Sequence, residues 1–218
     1  MKTNKKFAVI LAGCGSRDGA EIHESVMALY AIARSGSEYT VFAPDISQHH
    51  VINHVTGEPM NESRNVLVEA ARIARGKISP LSSFKADDFD ILFFAGGFGV
   101  AKNLCTYAFD GAAMKVNPEV EKAVLAIHGA GKPIGAMCIS PVILAKVLGD
   151  VTMTMGQDPG AIKNIETLGA THEPTGPQDI AIDRKNKIVT TPCYMLDSNI
   201  VDIAEGAMKA VEALLALP

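Results

Sequence analysis

The sequence lacks paired cysteines, a long apolar segment and an excess of either charge. Its four cysteines, Cys14, Cys105, Cys138 and Cys193, lie far apart and include no C-x-x-C pair. This spacing excludes a disulfide framework and a zinc knuckle, and it is typical of thiols in a reducing compartment. A net charge of −4, without long runs of either sign, favours neither nucleic acid nor an anionic membrane as a partner.

No segment of the sequence has the length of a helix that crosses a bilayer. The first residues, "MKTNKKFAVILAGCG", superficially resemble a lipoprotein signal, but the apolar run at 7–12 is shorter than the core of a signal peptide. We therefore interpret this run as a first strand and expect the protein to be cytoplasmic.

The common nucleotide-binding and metal-binding motifs are also missing. The turn "GCGSRDG" has Asp18 where a dinucleotide-binding fingerprint requires its third glycine, and no P-loop motif is present. His50 and His54 are four residues apart, but the sequence between them lacks the glutamate of a zinc-binding H-E-x-x-H motif. We therefore expect neither a cofactor nor a metal ion.

Apolar strands alternate with amphipathic helices along the chain. Continuous apolar runs predict buried strands, and apolar residues spaced by threes and fours predict helices. The predicted strands are at 6–12, 39–43, 90–94 and 133–137, followed by a hairpin that turns at 184–186. The predicted helices are at 20–35, 61–75, 118–130 and 162–168, with others that begin near 141 and 199. This alternation predicts a flavodoxin-like α/β fold, doubly wound, with a mostly parallel sheet and helices on both faces.

Three glycine-rich or cysteine-containing turns follow the predicted strands. They are "GCGSRDGAEIHE" after the first strand, "AGGFG" after the strand at 90–94, and "MCISP" after the strand at 133–137. In doubly wound folds, ligands bind outside the carboxyl ends of the strands. We therefore expect these three turns to converge on one site.

Only Cys138, Ile139 and Ser140 separate the strand at 133–137 from the following helix. A nucleophile on such a tight turn is similar to the elbow of the α/β hydrolases, and helix N-terminal amides tend to lower the pKa of a thiol. We therefore expect an ionised Cys138 in an open crevice, with the Ile139 amide and an amide of "AGGFG" as donors to an oxyanion. The alternative is a structural role, because free cysteine is often a small buried hydrophobe.

Five segments together resemble a known superfamily. "FAVILAGCGSRDGAEIHE", "DILFFAGGFGVAKNL" and "GKPIGAMCISPVILAKVLG" resemble the ThiJ/PfpI superfamily, which is related in fold to class I glutamine amidotransferases. "VINHVTGEPMNESRNVLVEAARIARG" and "NKIVTTPCYML" are similar to its ElbB type, described as an isoprenoid-biosynthesis-associated glyoxalase. The resemblance implies one class I glutamine amidotransferase-like domain at 1–218 and a homodimer, to which the excursion at 49–60 could contribute.

The resemblance also implies roles for individual residues. Cys138 matches the nucleophile of the family, and Glu24 matches the glutamate that forms a hydrogen bond with the reactive thiol. Gly97 and Ile139 match the two backbone oxyanion donors. Many relatives have a histidine after the elbow helix, but the corresponding segment here, "DVTMTMGQDPG", has none, and His23 is the local substitute that we consider.

These roles lead to a cofactor-independent glyoxalase as the main functional hypothesis. In it, Cys138 attacks a small dicarbonyl such as glyoxal, and Glu24 moves a proton between the two carbons before water releases glycolate. One alternative is a non-enzymatic cysteine redox sensor or chaperone-like protein. The others are an amidotransferase-like subunit, which the missing histidine disfavours, and a protein deglycase.

Overall fold

The centre of the molecule is a seven-stranded sheet. Its strands, in spatial order, are β3 Ile78–Pro80, β2 Glu38–Ala43, β1 Lys6–Ile10, β4 Ile91–Phe94, β5 Ile134–Met137, β9 Ile188–Thr191 and β8 Ala181–Asp183. The computed structural model describes residues 4–218, so the first three residues of the predicted 1–218 domain and of the signal-like N-terminal segment lie outside it. Neighbouring strands are parallel except for β8 and β9, which form the predicted antiparallel hairpin. Two further short strands, β6 Thr152–Met153 and β7 Thr171–His172, lie outside this sheet.

Helices cover both faces of this sheet. They are α1 Ile22–Arg34, α2 Val66–Ile73, α3 Tyr107–Asp110, α4 Pro118–Gly129, α5 Pro141–Leu148, α6 Pro159–Thr167 and α7 Ile200–Ala216. Alternate residues of β1 enter two separate cores: Ala8 and Ile10 pack with α4, α5 and α6, whereas Phe7 and Val9 pack with α1, α2 and α7. The predicted doubly wound α/β fold with a mostly parallel sheet is therefore confirmed.

Several predicted boundaries shift because a capping residue decides where a helix begins. The Glu21 side chain accepts the Glu24 amide, so α1 begins at Ile22 rather than at residue 20. Asn65 caps α2 in the same way, so the predicted helix at 61–75 is shorter at its start. The short edge strand β3 was not predicted, and β6 pairs with β7 in a separate two-stranded sheet.

The three turns expected to converge lie at one edge of the sheet, because β1, β4 and β5 are adjacent and parallel. Backbone hydrogen bonds join the turn after β1 to the turn after β4. Glu21 N donates to Gly96 O at 3.0 Å, and Phe98 N donates to Ser16 O at 2.9 Å. The predicted convergence of these turns is confirmed. Among residues 4–218, no helix has the length and hydropathy needed to span a membrane.

Candidate active site

Cys138 lies on a tight turn between β5 and α5, with its backbone in the left-handed region at φ 59°. A residue with a side chain adopts this conformation only at an energetic cost, so the surrounding structure must hold it in place. The Cys138 amide donates to Thr191 O at 2.9 Å, and the Ser140 hydroxyl donates to Ala95 O. The turn is therefore fixed to both neighbouring strands, β9 and β4, which supports the predicted elbow geometry.

Glu24, in the first turn of α1, brings its carboxyl group to Cys138. A Cβ atom added to Gly96 would collide with both Glu24 Oε2 and Cys138 Cβ, so these two atoms are close neighbours on either side of the glycine. Glu24 Oε1 accepts the Tyr194 amide at 3.4 Å. Glu24 Oε2 is buried and has no well-oriented hydrogen-bond partner among the described residues, and the Cys138 thiol and the Gly96 amide are close enough to lower the Glu24 pKa.

The amides of Gly97 and Ile139 lie close enough to the Cys138 sulfur atom to lower the pKa of the thiol. Gly97 lies three residues after the end of β4, in a left-handed conformation at φ 99°. A side chain there would collide with the backbone of Gly19 and Glu21, so only glycine allows the two turns to approach this closely. The two predicted oxyanion donors and the predicted Cys138–Glu24 pair therefore lie together in the structure.

The expectation of an ionised thiol is wrong, whereas the expected crevice is present as a cavity that Cys138 lines. Only 7% of Cys138 is exposed, and burial together with the nearby Glu24 carboxylate raises the Cys138 pKa well above the usual value for a thiol. The amides of Gly97 and Ile139 act in the opposite direction but are the smaller influence. The thiol is therefore protonated at neutral pH, although it lies at the wall of a cavity.

Burial also changes the protonation of Glu24, which is fully shielded from solvent. Loss of hydration raises the Glu24 pKa to about 8, and the neighbouring Glu21 carboxylate acts in the same direction. Hydrogen bonds from Cys138 and from the backbone of Tyr194 and Gly96 lower it in part. A carboxyl group with a pKa near the working pH can both accept and donate a proton.

His23 does not contact Cys138. It is exposed on α1, and its Nδ1 lies 2.8 Å from the Tyr194 hydroxyl. Tyr194 follows β9 in a short helix at Cys193–Met195, and its side chain lines the same cavity as Cys138. The structure therefore places His23 behind Tyr194 rather than next to the thiol.

Sequence reasoning missed Tyr194 and Gly96. A signal for Tyr194 was present, because "PCYM" directly follows the buried strand β9, whose carboxyl end lies beside that of β5. No comparable signal marks Gly96 in "AGGFG". The position requires glycine only because α1 packs against the turn and leaves no space for a side chain.

The cavity in front of Cys138 has a volume of about 770 Å³. Its walls come from the turns after β1, β4, β5 and β9 and from α3 and α6. The other three cysteines do not line it. Within the part of the chain that the structure describes, no group of three or more histidine, cysteine or carboxylate side chains could hold a metal ion, and His54 instead accepts the Arg17 amide at 3.2 Å.

Comparison with known proteins identifies the family. The chain is 46% identical over 222 residues to the ES1 protein homolog, mitochondrial, of Rattus norvegicus, covering 97% of this chain and 84% of that protein. It is also 46% identical over 222 residues to the glutamine amidotransferase-like class 1 domain-containing protein 3, mitochondrial, of Homo sapiens. This match covers 97% of this chain and 83% of that protein. The chain belongs to this ES1 family of glutamine amidotransferase-like proteins. No protein-family model matches the sequence.

Solved structures show that the fold of this ES1 family chain is amidotransferase-like. An isoprenoid biosynthesis protein with an amidotransferase-like domain from Ehrlichia chaffeensis has a TM-score of 0.90 at 34% identity, covering 97% of this chain and 99% of that chain. A ThiJ/PfpI domain protein from Brachyspira murdochii has a TM-score of 0.61 at 16% identity, covering 100% of both chains, which shows the shared fold alone. The predicted relationship to class I glutamine amidotransferase-like proteins is confirmed, and the ThiJ/PfpI structure shares the fold. The predicted cytoplasmic location gains no support, because the names of the two mammalian relatives place those proteins in mitochondria.

Proposed function

We propose that the protein is a cofactor-independent glyoxalase of the ElbB type that converts glyoxal to glycolate through a hemithioacetal on Cys138. The observation that carries this proposal is the buried pair of Cys138 and Glu24, with two backbone amides at the sulfur. A thiol supplies the nucleophile, and a carboxyl group with a pKa of about 8 supplies a proton acceptor that can return the proton.

The first step forms a bond between the Cys138 sulfur and one aldehyde carbon of glyoxal. The ionised form of Glu24 takes the thiol proton as the sulfur attacks, so a free thiolate is not needed beforehand. The aldehyde oxygen becomes an oxyanion near the amides of Gly97 and Ile139 and then receives this proton. The product of the step is a neutral hemithioacetal, and Glu24 is again a carboxylate.

The second step moves hydrogen from one carbon to the other. Glu24 removes the proton from the carbon bonded to sulfur, and the electron pair of that C–H bond forms an enediolate with the neighbouring carbonyl. Glu24 then protonates the second carbon, while the hydroxyl proton of the first carbon passes to the second oxygen. The result is a glycolyl thioester, an isomer of the hemithioacetal, so no oxidant or reductant is required.

Water completes the reaction by attacking the thioester carbon. The C–S bond breaks, the sulfur regains a proton, and glycolate leaves with release of one proton. The overall change adds one water to glyoxal. The same amides of Gly97 and Ile139 stabilise the tetrahedral oxyanion of this step.

Tyr194 and His23 complete the site in this proposal. The Tyr194 hydroxyl is held by His23 at 2.8 Å, and the side chain of Tyr194 lines the cavity. The phenol donates a hydrogen bond to the second carbonyl oxygen of the substrate, where charge develops in the enediolate. His23 acts through Tyr194 and is a positioning residue.

The experiment that tests the proposal measures glycolate formation from glyoxal with purified protein and no added thiol or metal. Cys138→Ala and Glu24→Gln should each reduce the rate at least a hundredfold. Lys185→Gln, which removes a charge from a surface ion pair with Asp150, is the control for handling and folding. A Cys138→Ala variant that retains its rate would refute the mechanism.

Two alternatives receive less support from the site. A redox sensor benefits from a thiolate, whereas the raised pKa of Cys138 keeps the thiol protonated. An amidotransferase-like subunit benefits from a histidine next to the nucleophile, and His23 instead contacts Tyr194. Protein deglycation uses similar chemistry, and comparing glyoxal with glycated amines in the same preparation separates the two activities.

The biological setting is part of the same proposal. A homodimer is proposed on family resemblance, and a link to isoprenoid biosynthesis is proposed from the name of the Ehrlichia protein. All four cysteines are free thiols, which fits a reducing compartment. The names of the two mammalian relatives make the mitochondrion the first location to test, ahead of the cytoplasm.

A further inference from the structure

The cavity in front of Cys138 is large for glyoxal. Its volume of about 770 Å³ falls in the range of pockets that enclose drug-sized ligands. Glyoxal is only two aldehyde groups joined to each other, so water would fill most of this space while glyoxal reacts. A substrate that fills the cavity must carry a larger substituent on its dicarbonyl group.

The residues that line the cavity indicate the polarity of this substituent. Apolar side chains line much of the cavity, including Phe98, Ala101, Ile139, Ala161 and Met195. Phe98 is 56% exposed, although it adjoins the backbone donor Gly97. An aromatic ring left open to solvent beside the reactive thiol is well placed to be covered by an apolar part of the substrate.

Charged groups at the cavity indicate what else the substrate carries. Arg17 lines the cavity, is exposed, and has no carboxylate partner within the described part of the chain. Lys102 lies beside it: its ammonium group donates to Arg17 O at 2.8 Å and lies 5.6 Å from the centre of the Phe98 ring. Lys102 therefore places one cation over the exposed aromatic ring, and Arg17 adds a second at the cavity wall, with its guanidinium group beside Gly57.

The two carboxylates that line the cavity, Glu21 and Asp158, only partly offset this positive charge. Glu21 Oε2 accepts the Glu24 amide at 2.7 Å, and Asp158 Oδ1 accepts the Ala161 amide at 2.6 Å. Both are N-terminal caps, of α1 and α6, so each is already partly compensated by a helix N-terminus. The Arg17 guanidinium has no such compensation.

We infer that the preferred substrate is an anionic 2-oxoaldehyde, in which an apolar chain joins the reactive dicarbonyl to a carboxylate or phosphate that pairs with Arg17. This inference rests on the proposed glyoxalase function. The chemistry is unchanged: Cys138 adds to the aldehyde carbon, the C–H proton of that carbon moves to the former ketone carbon, and water releases a 2-hydroxy acid. Arg17 thus sets specificity and takes no part in proton transfer.

The test compares two substrates of equal length that differ in charge. 2-Oxohexanal ends in a methyl group, and 5,6-dioxohexanoate carries a carboxylate in its place. A phosphonate analogue of the same length tests whether a phosphate group is recognised in the same way. The wild type should show a kcat/KM about fivefold higher for an anionic substrate than for 2-oxohexanal, because a partly exposed ion pair contributes a modest energy. This ratio should fall towards one in high salt.

Variants of Arg17 assign the preference to one side chain. Arg17→Gln should bring the ratio of the two kcat/KM values close to one, and Arg17→Lys should retain part of the preference. Lys185→Gln removes the same charge at the β8–β9 hairpin, outside the cavity, and should keep the full ratio. An equal ratio in wild type, or a full ratio in Arg17→Gln, would overturn the inference.

A binding measurement separates failure of this inference from failure of the proposed function. The Cys138→Ala variant is titrated by NMR with 5-oxohexanoate and with 2-hexanone, which lack the reactive aldehyde. Tighter binding of the anion that is lost when Arg17→Gln is added supports the ligand class even if no dicarbonyl is turned over, in which case only the glyoxalase proposal fails. Equal binding of the two compounds together with turnover of glyoxal overturns the inference and leaves the glyoxalase proposal standing.

Discussion

The Glu24 carboxyl group lies beside the Cys138 thiol, and the residue at their junction is Gly96, which has no side chain to separate them. Both groups are shielded from solvent, so each is held in its neutral form more strongly than in water. Both groups are therefore mostly protonated at neutral pH, and the pair is suited to exchange protons with a substrate.

The pH dependence of turnover follows from Glu24. Its pKa is raised to about 8, and the carboxylate is the form that accepts the thiol proton. The rate should therefore rise with pH, from about one hundredth of its plateau at pH 6 to about one tenth at pH 7, and level off above pH 8. Initial rates in buffers of constant ionic strength measure this profile; a plateau already reached at pH 6 would contradict it.

Gly96→Ala should remove activity while leaving most of the fold. The added methyl group collides with Glu24 Oε2 and Cys138 Cβ, so we expect a loss of at least a hundredfold in kcat/KM and a destabilisation of about 1–3 kcal/mol. Gly129→Ala is the matched control, because an added Cβ there has no neighbour within 4 Å. Steady-state kinetics and urea unfolding measure both effects, and an active Gly96→Ala variant would show that the pair is misplaced.

Glu24→Gln should change how stability depends on pH. The folded pKa of about 8 exceeds that of the unfolded chain, so the stability contribution of Glu24 is fully present below about pH 4 and is lost as the pH rises through 8. The glutamine variant has no such loss. Relative to wild type, it should gain on the order of 2–4 kcal/mol between pH 5 and pH 9, measured by denaturant unfolding. Parallel stability curves for the two proteins would argue against a buried, uncharged Glu24.

Tyr194→Phe should lower kcat about tenfold or more and leave the first bond to Cys138 intact, since the phenol acts on the second carbonyl group. His23→Leu should give a smaller decrease, and His23→Asn, whose side-chain amide can replace Nδ1 in the contact with Tyr194, should restore most of it. Rates of adduct formation, followed by mass spectrometry, separate this effect from structural damage. An equal loss in both the adduct rate and kcat would assign these residues to structure alone.

Cys138 should react slowly with general thiol reagents when no substrate is bound. Because its pKa is raised well above that of an ordinary thiol, its alkylation by iodoacetamide at pH 7 should be at least tenfold slower than that of free cysteine. Oxidation by peroxide should be slow for the same reason. Peptide mass spectrometry measures both rates, with Cys138→Ala as the reference. Rapid formation of a sulfenic acid at low peroxide would favour the redox-sensor alternative.

The fold and the meeting of the turns were predictable because they depend on local patterns. The buried runs of β1, β4 and β5 mark parallel strands, and parallel strands bring the turns that follow them to one edge. The position of Cys138 on a three-residue turn was equally visible in the sequence.

The protonation of the site was not predictable in the same way. The N-terminus of α5 favours a thiolate, but the burial that outweighs it arises only when α1 and the segment after β9 pack over the turn. Tyr194 and Gly96 escaped for a related reason, since their importance comes from contacts with residues distant in sequence, namely His23 and Glu24.

The most direct measurement of the central claim is the chemical state of Cys138 during turnover. Wild-type protein and Glu24→Gln are mixed with glyoxal, quenched in acid within the first turnovers and digested for mass spectrometry, with hydroxylamine treatment to reveal thioesters. We predict that the wild-type Cys138 peptide carries the mass of one glyoxal in a form that hydroxylamine cleaves, and that Glu24→Gln does not form this thioester. Glycolate production with an unmodified Cys138, or a thioester that accumulates equally in Glu24→Gln, would contradict the account.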